Sequence, residues 1–495
     1  MNRNTIAWLF AVFSALVFFG IAFSALDGLV KGVLMLIVLG ASGMAIKQLT
    51  NLEGYYGLLV VRGDAGLGLM KSIARDHPKL CTGVVDIALA ICFGVPYSFH
   101  AFGLRDKRAW LGALANLLFF SFFFIAQVGN GSLLFLCLGL VFGLVGLGIG
   151  FIAQHAWSVL TIPNTPPGVT LLVPGVTVPW EAIFSIIIIA IVHELAHGVL
   201  ANIEKVKIKA SGALLFGFLP VGAFVEPDEA ALARKPLHTK RRVLAAGSIS
   251  NIVFFFVFLV LTIAAGFAFN ATVDRVVVSS SNSSLAVGAA LTSFASAGEA
   301  EAFFMQSAAS GNAASLIEVN GVVESVRFSE LKVMGVRSDY PSSHLFEEGN
   351  LILSVDGERV NGLSGLKDAL ANKQEGDEVL VGTAEGADLI VLGPNAQMGV
   401  TLSPVMLFKL EDEPNNALAY AIASFVLVVF SFAYVLNFIL ATVNLLPLFI
   451  TDGHRIIYEE LKEAFGQRKA ERVSLALGIL ALLLLALNAA PWLWA

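Results

Sequence analysis

The chain is 495 residues long, 57% hydrophobic and only 14% charged, with a formal net charge of −6 and a mean hydropathy of +0.80. An ordinary soluble domain carries about 25% charged residues, so this composition excludes a soluble globular protein and reads as an integral membrane protein. The mild acidity gives no argument for a nucleic-acid partner, and Cys81, Cys92 and Cys137, scattered in apolar runs, suggest neither a disulfide framework nor a cysteine-based zinc site.

A spanning helix needs about 20 apolar residues. In chain order the candidates are 6–26, 29–47, 81–102, 109–128, 132–153, 181–201, 247–269, 416–445 and 473–491, about nine spans of a polytopic α-helical membrane protein. The first follows only MNRNT and has no convincing small-residue cleavage site, so it reads as a retained helix. Residues 202–246 form a polar loop with eight basic residues: Lys205, Lys207, Lys209, Arg234, Lys235, Lys240, Arg241 and Arg242. The positive-inside rule makes it cytoplasmic. The loop 452–472 agrees, with Arg455, Lys462, Arg468, Lys469 and Arg472. The polar stretch 271–410 then lies outside, where the sequons Asn270-Ala-Thr272 and Asn282-Ser-Ser284 are compatible. The segment 154–180 has no Lys or Arg and suits the outside too. Counting back puts the N-terminus and the basic loop 47–80 in the cytoplasm. One loop disobeys: LRDKRAW places Arg105, Lys107 and Arg108 outside. Either the spans around it are misread or the rule yields locally.

The stretch IVHELAHGVL (191–200) puts three ionisable side chains into an apolar run. His193 and His197 are i and i+4, so a helix stacks them on one face. Two imidazoles so placed can hold one zinc ion, with Glu194 beside them as general base. Charges near a bilayer centre cost at least about 2.5–3.5 kcal/mol on insertion scales and usually mark function. The bland reading is a polar cluster packing helices together without a metal. Zinc needs a third protein ligand if water is to keep the fourth position. VNLLPLFITDGHR (443–455) offers Asp452, at the same membrane face as the histidines. Asp452 would equally serve as N-cap of the helix DGHRIIYEELKEAF, and His454 is a rival ligand.

These motifs together resemble the site-2 protease family of intramembrane zinc metalloproteases. HELAH fits the family's HExxH, and Asn444 through Gly453 fit its NxxPxxxxDG motif at every fixed position. The resemblance implies His193, His197 and Asp452 as zinc ligands and Glu194 as the catalytic acid/base. It implies Asn444 near the reacting carbonyl, holding substrate backbone or stabilising the oxyanion, and Pro447 opening the helix before the aspartate. LPVGAFVEPDEAAL (219–232) resembles the family's membrane-associated β-loop, whose edge strand receives unwound substrate, here through Gly222, Ala223 and Phe224. VLAAGSISNIVFFF (243–256) resembles the AGPxxNF-like start of the following helix, with Ser248 where Pro is common and Asn251 at a position that contacts substrate or the site. The first 180 residues resemble N-terminal extensions of archaeal members only loosely. Within them, GYYGLLVVRGDAGLGLMKSIAR (54–75) reads as paired strands followed by an amphipathic interfacial helix, or as plain connecting loop.

HLFEEGNLILSVDGERVNGLSGLKDALANKQEGDEVLV (344–381) resembles a PDZ domain, in which a groove accepts an extended peptide as an added strand. LIEVNGVVESV (316–326) echoes ILSVDGERV, but the two lie too near each other along the chain for two complete PDZ domains. The reading is one β-rich PDZ-like extracytoplasmic domain with an insertion, filtering substrate ends; a generic β-rich spacer is the alternative. The expected organisation is an N-terminal transmembrane bundle of about five spans (1–153), an extracytoplasmic loop (154–180), the first half of the catalytic core (181–270), the PDZ-like domain (271–410) and the second half of the core (411–495). The expected function is an intramembrane zinc metalloprotease of the cell membrane that cuts the transmembrane segments of single-span proteins. The rivals are a transporter or metal channel using the His/Glu/Asp cluster as a transit site, and a catalytically silent scaffold that retains membrane clients.

Overall fold

Backbone N–H and C=O groups in an apolar solvent must bond within their own segment, so apolar runs of this length fold as helices. The computed structural model describes residues 3–22, 24, 28–50, 52–64, 66–126, 132–162, 165–170, 172, 177–283, 285–337 and 340–493. Ser284 of the second sequon, and parts of the 6–26, 109–128 and 154–180 segments, lie outside the described residues. The chain divides into two units, residues 1–263 with 425–495, and residues 264–424.

The first unit begins with α1 (Arg3–Ala22) and α2 (Gly28–Thr50), then β1 (Glu53–Tyr55), β2 (Leu58–Gly63) and α3 (Leu67–Asp76). The 54–75 stretch therefore forms strands and a helix rather than plain loop. Gly57, at φ 89° in the β1–β2 turn, lies so close to α2 that a Cβ on Gly43 would sit 2.1 Å from its carbonyl oxygen.

The expected span 81–102 is not one helix. It is α4 (Pro78–Phe93) and α5 (Val95–Phe102), broken at Gly94, which has φ 90° ahead of Pro96. Proline lacks the N–H a continuing helix needs. The two helices fold back on each other. The position of Gly112, on α6 (Lys107–Ala126), faces both Ile87 and Ala90 of α4 and Ser98 of α5. The expected span 132–153 also departs from a straight crossing. It belongs to α7 (Ser132–Thr161), which has a non-helical residue at Gly143 (φ 64°, ψ −156°). A Cβ on Gly150 would lie 2.6 Å from the Leu138 side chain. Those residues would be about 18 Å apart along a straight helix, so α7 is doubled back. The two bends meet: a Cβ on Gly94 would lie 2.0 Å from Val141 O, and one on Gly143 2.5 Å from Cys92 O. Asn116, fully buried on α6, ties them by donating Nδ2–H to Ala90 O (2.6 Å) and Gly139 O (3.2 Å).

The chain continues through α8 (Ala182–Ile203), β3 (Ile208–Phe216), β4 (Leu219–Pro227), α9 (Glu229–Ala233) and α10 (Leu237–Asn270). The four strands form one sheet in the order β1-β2-β3-β4. Pro220 and Pro227 lie in β4, which fits an edge strand because proline cannot donate to a ladder.

The second unit contains β5 (Val273–Ser281), β6 (Ala290–Leu291), α11 (Ala297–Ala309), β7 (Ala314–Val319) and β8 (Val322–Arg327). It continues with β9 (Ser329–Val336), β10 (Leu351–Val355), β11 (Glu358–Arg359), α12 (Gly362–Leu370), β12 (Glu378–Thr383), β13 (Ala387–Val391), β14 (Val400–Met406) and β15 (Phe408–Pro414). One sheet runs β15-β5-β6-β7-β8 and the other β13-β12-β10-β9-β14, with β11 pairing β10. The first is centred on Phe304 and Phe328, the second on Ile352 and Ile390. The two echoing segments thus sit in different sheets with separate cores. Each carries a tight turn with positive φ at both central residues, Asn320-Gly321 and Asp356-Gly357.

The first unit is completed by α13 (Ala417–Leu445), α14 (Asp452–Phe465) and α15 (Gln467–Ala489). Among the described residues, α2, α6, α7, α8, α10, α13 and α15 are long and apolar enough to cross a membrane by length and composition; α1 has a shorter apolar stretch.

The doubled-back α4–α5 accounts for the loop that broke the positive-inside rule. Asp86 on α4 accepts from Arg108 (3.1 Å) and from Arg242 (2.8 and 2.7 Å), and Arg242 also reaches Glu204 (2.8 Å). LRDKRAW therefore lies at the same end of the unit as the basic 202–246 loop. In a background lacking the native cysteines, Leu104→Cys and Arg234→Cys should label from one side of the membrane, and Thr170→Cys from the other. Impermeant-maleimide labelling of oriented vesicles checks this, and labelling of Leu104→Cys together with Thr170→Cys would contradict it.

Candidate metal centre

Three elements bring the site together. α8 carries His193 and His197 one turn apart, both buried or nearly so. Its last turn ends at Glu204, followed by Lys205 at φ 55°, a left-handed residue that stops the helix.

The second element is the break between α13 and α14. Pro447 has no N–H to continue α13, and residues 446–451 fold as tight turns. Thr451 closes them by donating its hydroxyl to Leu446 O (2.5 Å) and Leu448 O (2.8 Å). Thr451, not Asp452, is the N-cap residue of α14. Asp452 is therefore free of the capping duty and turns its carboxylate towards the histidines, at a helix N-terminus that favours negative charge. Gly453 permits the close approach of the two helices, since a Cβ there would lie 2.0 Å from Leu445 O.

His193 Nε2, His197 Nε2 and Asp452 Oδ2 form a triangle with edges of 3.2, 3.1 and 3.3 Å. A tetrahedral zinc ion with bonds of about 2.0–2.1 Å holds its ligand atoms about 3.3 Å apart, so the donor set fits such an ion. Gly247 on α10 completes the cradle: a Cβ there would lie 2.4 Å from the Nε2 atoms of both histidines.

The far sides of the rings are also held. His197 Nδ1 is 2.7 Å from Val243 O. A carbonyl only accepts, so Nδ1 carries the proton and Nε2 offers its lone pair to the triangle. His193 Nδ1 faces the Asn251 amide at 3.1 Å, and Asn251 is fully buried. With Nδ2 towards the ring, Asn251 Oδ1 is buried without a partner. With the amide turned by half, Oδ1 accepts from Nδ1–H, and His193 Nε2 is freed as a ligand.

Glu194 Oε2 accepts from the Val225 backbone N–H (2.8 Å), which ties α8 to β4. Asn444 Nδ2 lies 3.4 Å from His193 Nε2. A cavity of about 330 Å³ includes His193, Glu194, His197, Val225, Asn444 and Asp452 in its wall. At its rim Arg455 meets Glu229 (3.1 Å).

Other expected residues are placed differently. Gly222, Ala223 and Phe224 lie along β4 beyond the cavity wall, Pro447 shapes the helix break, and Asn251 stands behind a histidine ring. His454 is outside the cluster, its ring against Phe449. Sequence reading passed over Gly247, although it stands inside the AAGSISN stretch.

Residues 181–486 match the family model described as Peptidase family M50. The chain belongs to peptidase family M50, the site-2 proteases. The family implies an intramembrane metalloprotease, and its membership together with the apolar helices makes this a multi-pass membrane protein. M50 proteases are zinc metallopeptidases, and His193, His197 and Asp452 could form the metal site here. A similar protein is an uncharacterized one from Methanocaldococcus jannaschii, 24% identical over 320 residues, which are 63% of this chain and 66% of that protein. The chain thus spans just under two thirds of that relative's length.

Two substitutions test the cradle. Asn251→Leu should lower zinc affinity roughly 10–100-fold, the usual cost of losing a partner behind a ligand histidine, while Asn251→Asp, which restores an acceptor, should retain most of it. Chelator competition measures both. Gly247→Ala should displace both imidazoles and lose the metal, read from zinc content of protein that still elutes as a folded species.

Proposed function

We propose that this chain is a zinc-dependent endopeptidase that cuts single-span membrane proteins within their transmembrane segments. The observation that carries the reading is the convergence of His193, His197 and Asp452, with Glu194 and an edge strand, on one cavity in an apolar bundle.

Zinc bound there would supply Lewis acidity for a carbonyl oxygen and lower the pKa of water towards neutrality. Glu194 takes the proton of the attacking water and returns it to the leaving amine as the C–N bond breaks. Asn444, with an amide N–H at the same cavity, is suited to holding the substrate carbonyl or the oxyanion that develops from it. A helical substrate hides its carbonyls in its own hydrogen bonds, so it must unwind locally. The outer edge of β4 offers the replacement bonds, the Val225 N–H exchanging Glu194 for substrate. Non-helical backbone at this depth needs cover from protein or water, which the cavity would give to an unwound substrate.

The remaining assignments follow the charge pattern and the motifs. The basic loops face the cytoplasm, together with the N-terminus, and residues 271–410 lie outside the cell membrane. There the sheet containing β9–β14 acts as a PDZ-like module that takes peptide termini of substrates already trimmed outside. Its edge strand β14 and the turn Asp356-Gly357 support that reading.

The decisive comparison is zinc content and cleavage of a detergent-solubilised single-span substrate by wild type, Glu194→Gln and Asp452→Ala. Wild type should hold one zinc per chain and cut. Glu194→Gln should keep zinc and lose at least about 100-fold in rate, the low end of general-base contributions. Asp452→Ala should lose both. Zinc flux across vesicles without cleavage would return the transport reading, and tight zinc without turnover the scaffold.

A further inference from the structure

β4 is hydrogen-bonded to β3 on one side, and the Val225 N–H points off its other edge towards Glu194. That bond registers the outer edge, which no strand pairs among the described residues, against the site. Successive side chains of a strand face opposite sides of its sheet. Across the sheet, Val60, Leu214 and Gly222 are in register, as are Arg62, Gly212 and Phe224. These two rows share a face, two residues apart along each strand. Gly212 and Gly222 contribute no side chains to it. At Gly212 the Phe224 ring leans over the gap, 2.8 Å from where a Cβ would be; at Gly222 a Cβ would meet only Leu214, at 3.6 Å.

On this face is a hollow of about 360 Å³ with Val60, Leu214 and Phe224 in its wall. It shares Val225, Pro227 and Arg455 with the metal-side cavity. The two cavities flank the same stretch of the β4 edge. The charges around the hollow are paired, Arg62 with Glu226 (2.8 Å) and Arg455 with Glu229 (3.1 Å), so they leave no single sign to attract an ionised side chain.

We propose that this hollow is a side-chain subsite: a peptide strand added to the outer edge of β4 places alternate side chains in the metal-side cavity and in the hollow, which takes a bulky aliphatic or aromatic side chain. Two of its wall residues, Val60 and Arg62, come from β2, so the N-terminal extension contributes to the choice of substrate. The inference rests on the strand-addition step of the preceding reading.

The test uses full-length Glu194→Gln protein in detergent and a synthetic Leu/Ala single-span peptide with a central helix break. Benzoylphenylalanine is placed at each position in turn through the break, and photo-crosslinks are mapped by mass spectrometry. Crosslinks should alternate with a period of two, between the Val60, Leu214 and Phe224 group and the Ala190 and Leu440 group of the metal-side cavity. In parallel, wild type should prefer Phe over Ala at one hollow-facing position by about tenfold, the effect of burying one large apolar side chain. That ratio should collapse in Val60→Trp, which fills the hollow, and shift towards Trp in Leu214→Ala, which enlarges it. Alternating crosslinks without any cleavage by wild type would uphold the subsite and sink the protease reading. Cleavage with crosslinks that follow a helical repeat, or that never reach Leu214, would overturn the subsite.

Discussion

Two imidazoles and a carboxylate cannot rest as separate polar groups among the buried apolar side chains of a helix bundle. Each would have to shed its water, and an unpaired charge there costs several kcal/mol. Bringing them to edges of 3.1–3.3 Å around a common point is the arrangement that lets one cation answer all three. Much of the local architecture follows from that demand. Gly247 leaves room for the rings, Val243 O and Asn251 fix their far nitrogens, and Asp452 stands one residue inside α14, past the N-cap position, with its carboxylate turned inward. Gly453 lets the carboxylate's helix approach α13 closely enough to reach the histidines.

The N-terminal half meets a related demand with apolar side chains. Two helices broken inside the bundle would expose carbonyls to a solvent that cannot bond them. Glycines at both bends let the broken ends pack against each other, and Asn116 donates to one carbonyl on each hairpin. This pair also braces the site. Gly148 packs against Thr442 and Leu446, beside Asn444. Tyr97 on α5 donates to Glu460 on α14 (2.6 Å), and Arg241 on α10 donates to the same carboxylate. The extension that lies outside the family match thus holds the helix carrying Asp452.

β4 links the two themes. Its prolines mark it as a strand that cannot be central, and its outer edge runs past the carboxylate of Glu194. An exposed edge is normally a liability that proteins cover or shorten. Here the outer edge lies beside a cavity whose wall holds Glu194 and the His193, His197 and Asp452 triangle.

The local chemistry was legible in the sequence because it depends on short spacings. His193 and His197 share a face of any helix, Pro447 must interrupt one, and runs of about 20 apolar residues must be helical. The joining of Asp452 to HELAH was legible only through a family motif, since 255 residues separate Asp452 from His197. Spacing alone left Asp452 as an even candidate for an N-cap, and Thr451 decided against it. The doubled-back helices were hidden because hydropathy counts apolar residues without registering direction. Gly94 and Gly143 look like any glycine in a membrane helix until their contacts with Val141 and Cys92 are seen. The sequence by itself determined which side chains could do metal chemistry and that they would sit among helices in an apolar solvent. Only the tertiary structure decided which partners orient them, which helices turn back and which strand edge stays open, because those depend on long-range contacts that no local pattern records.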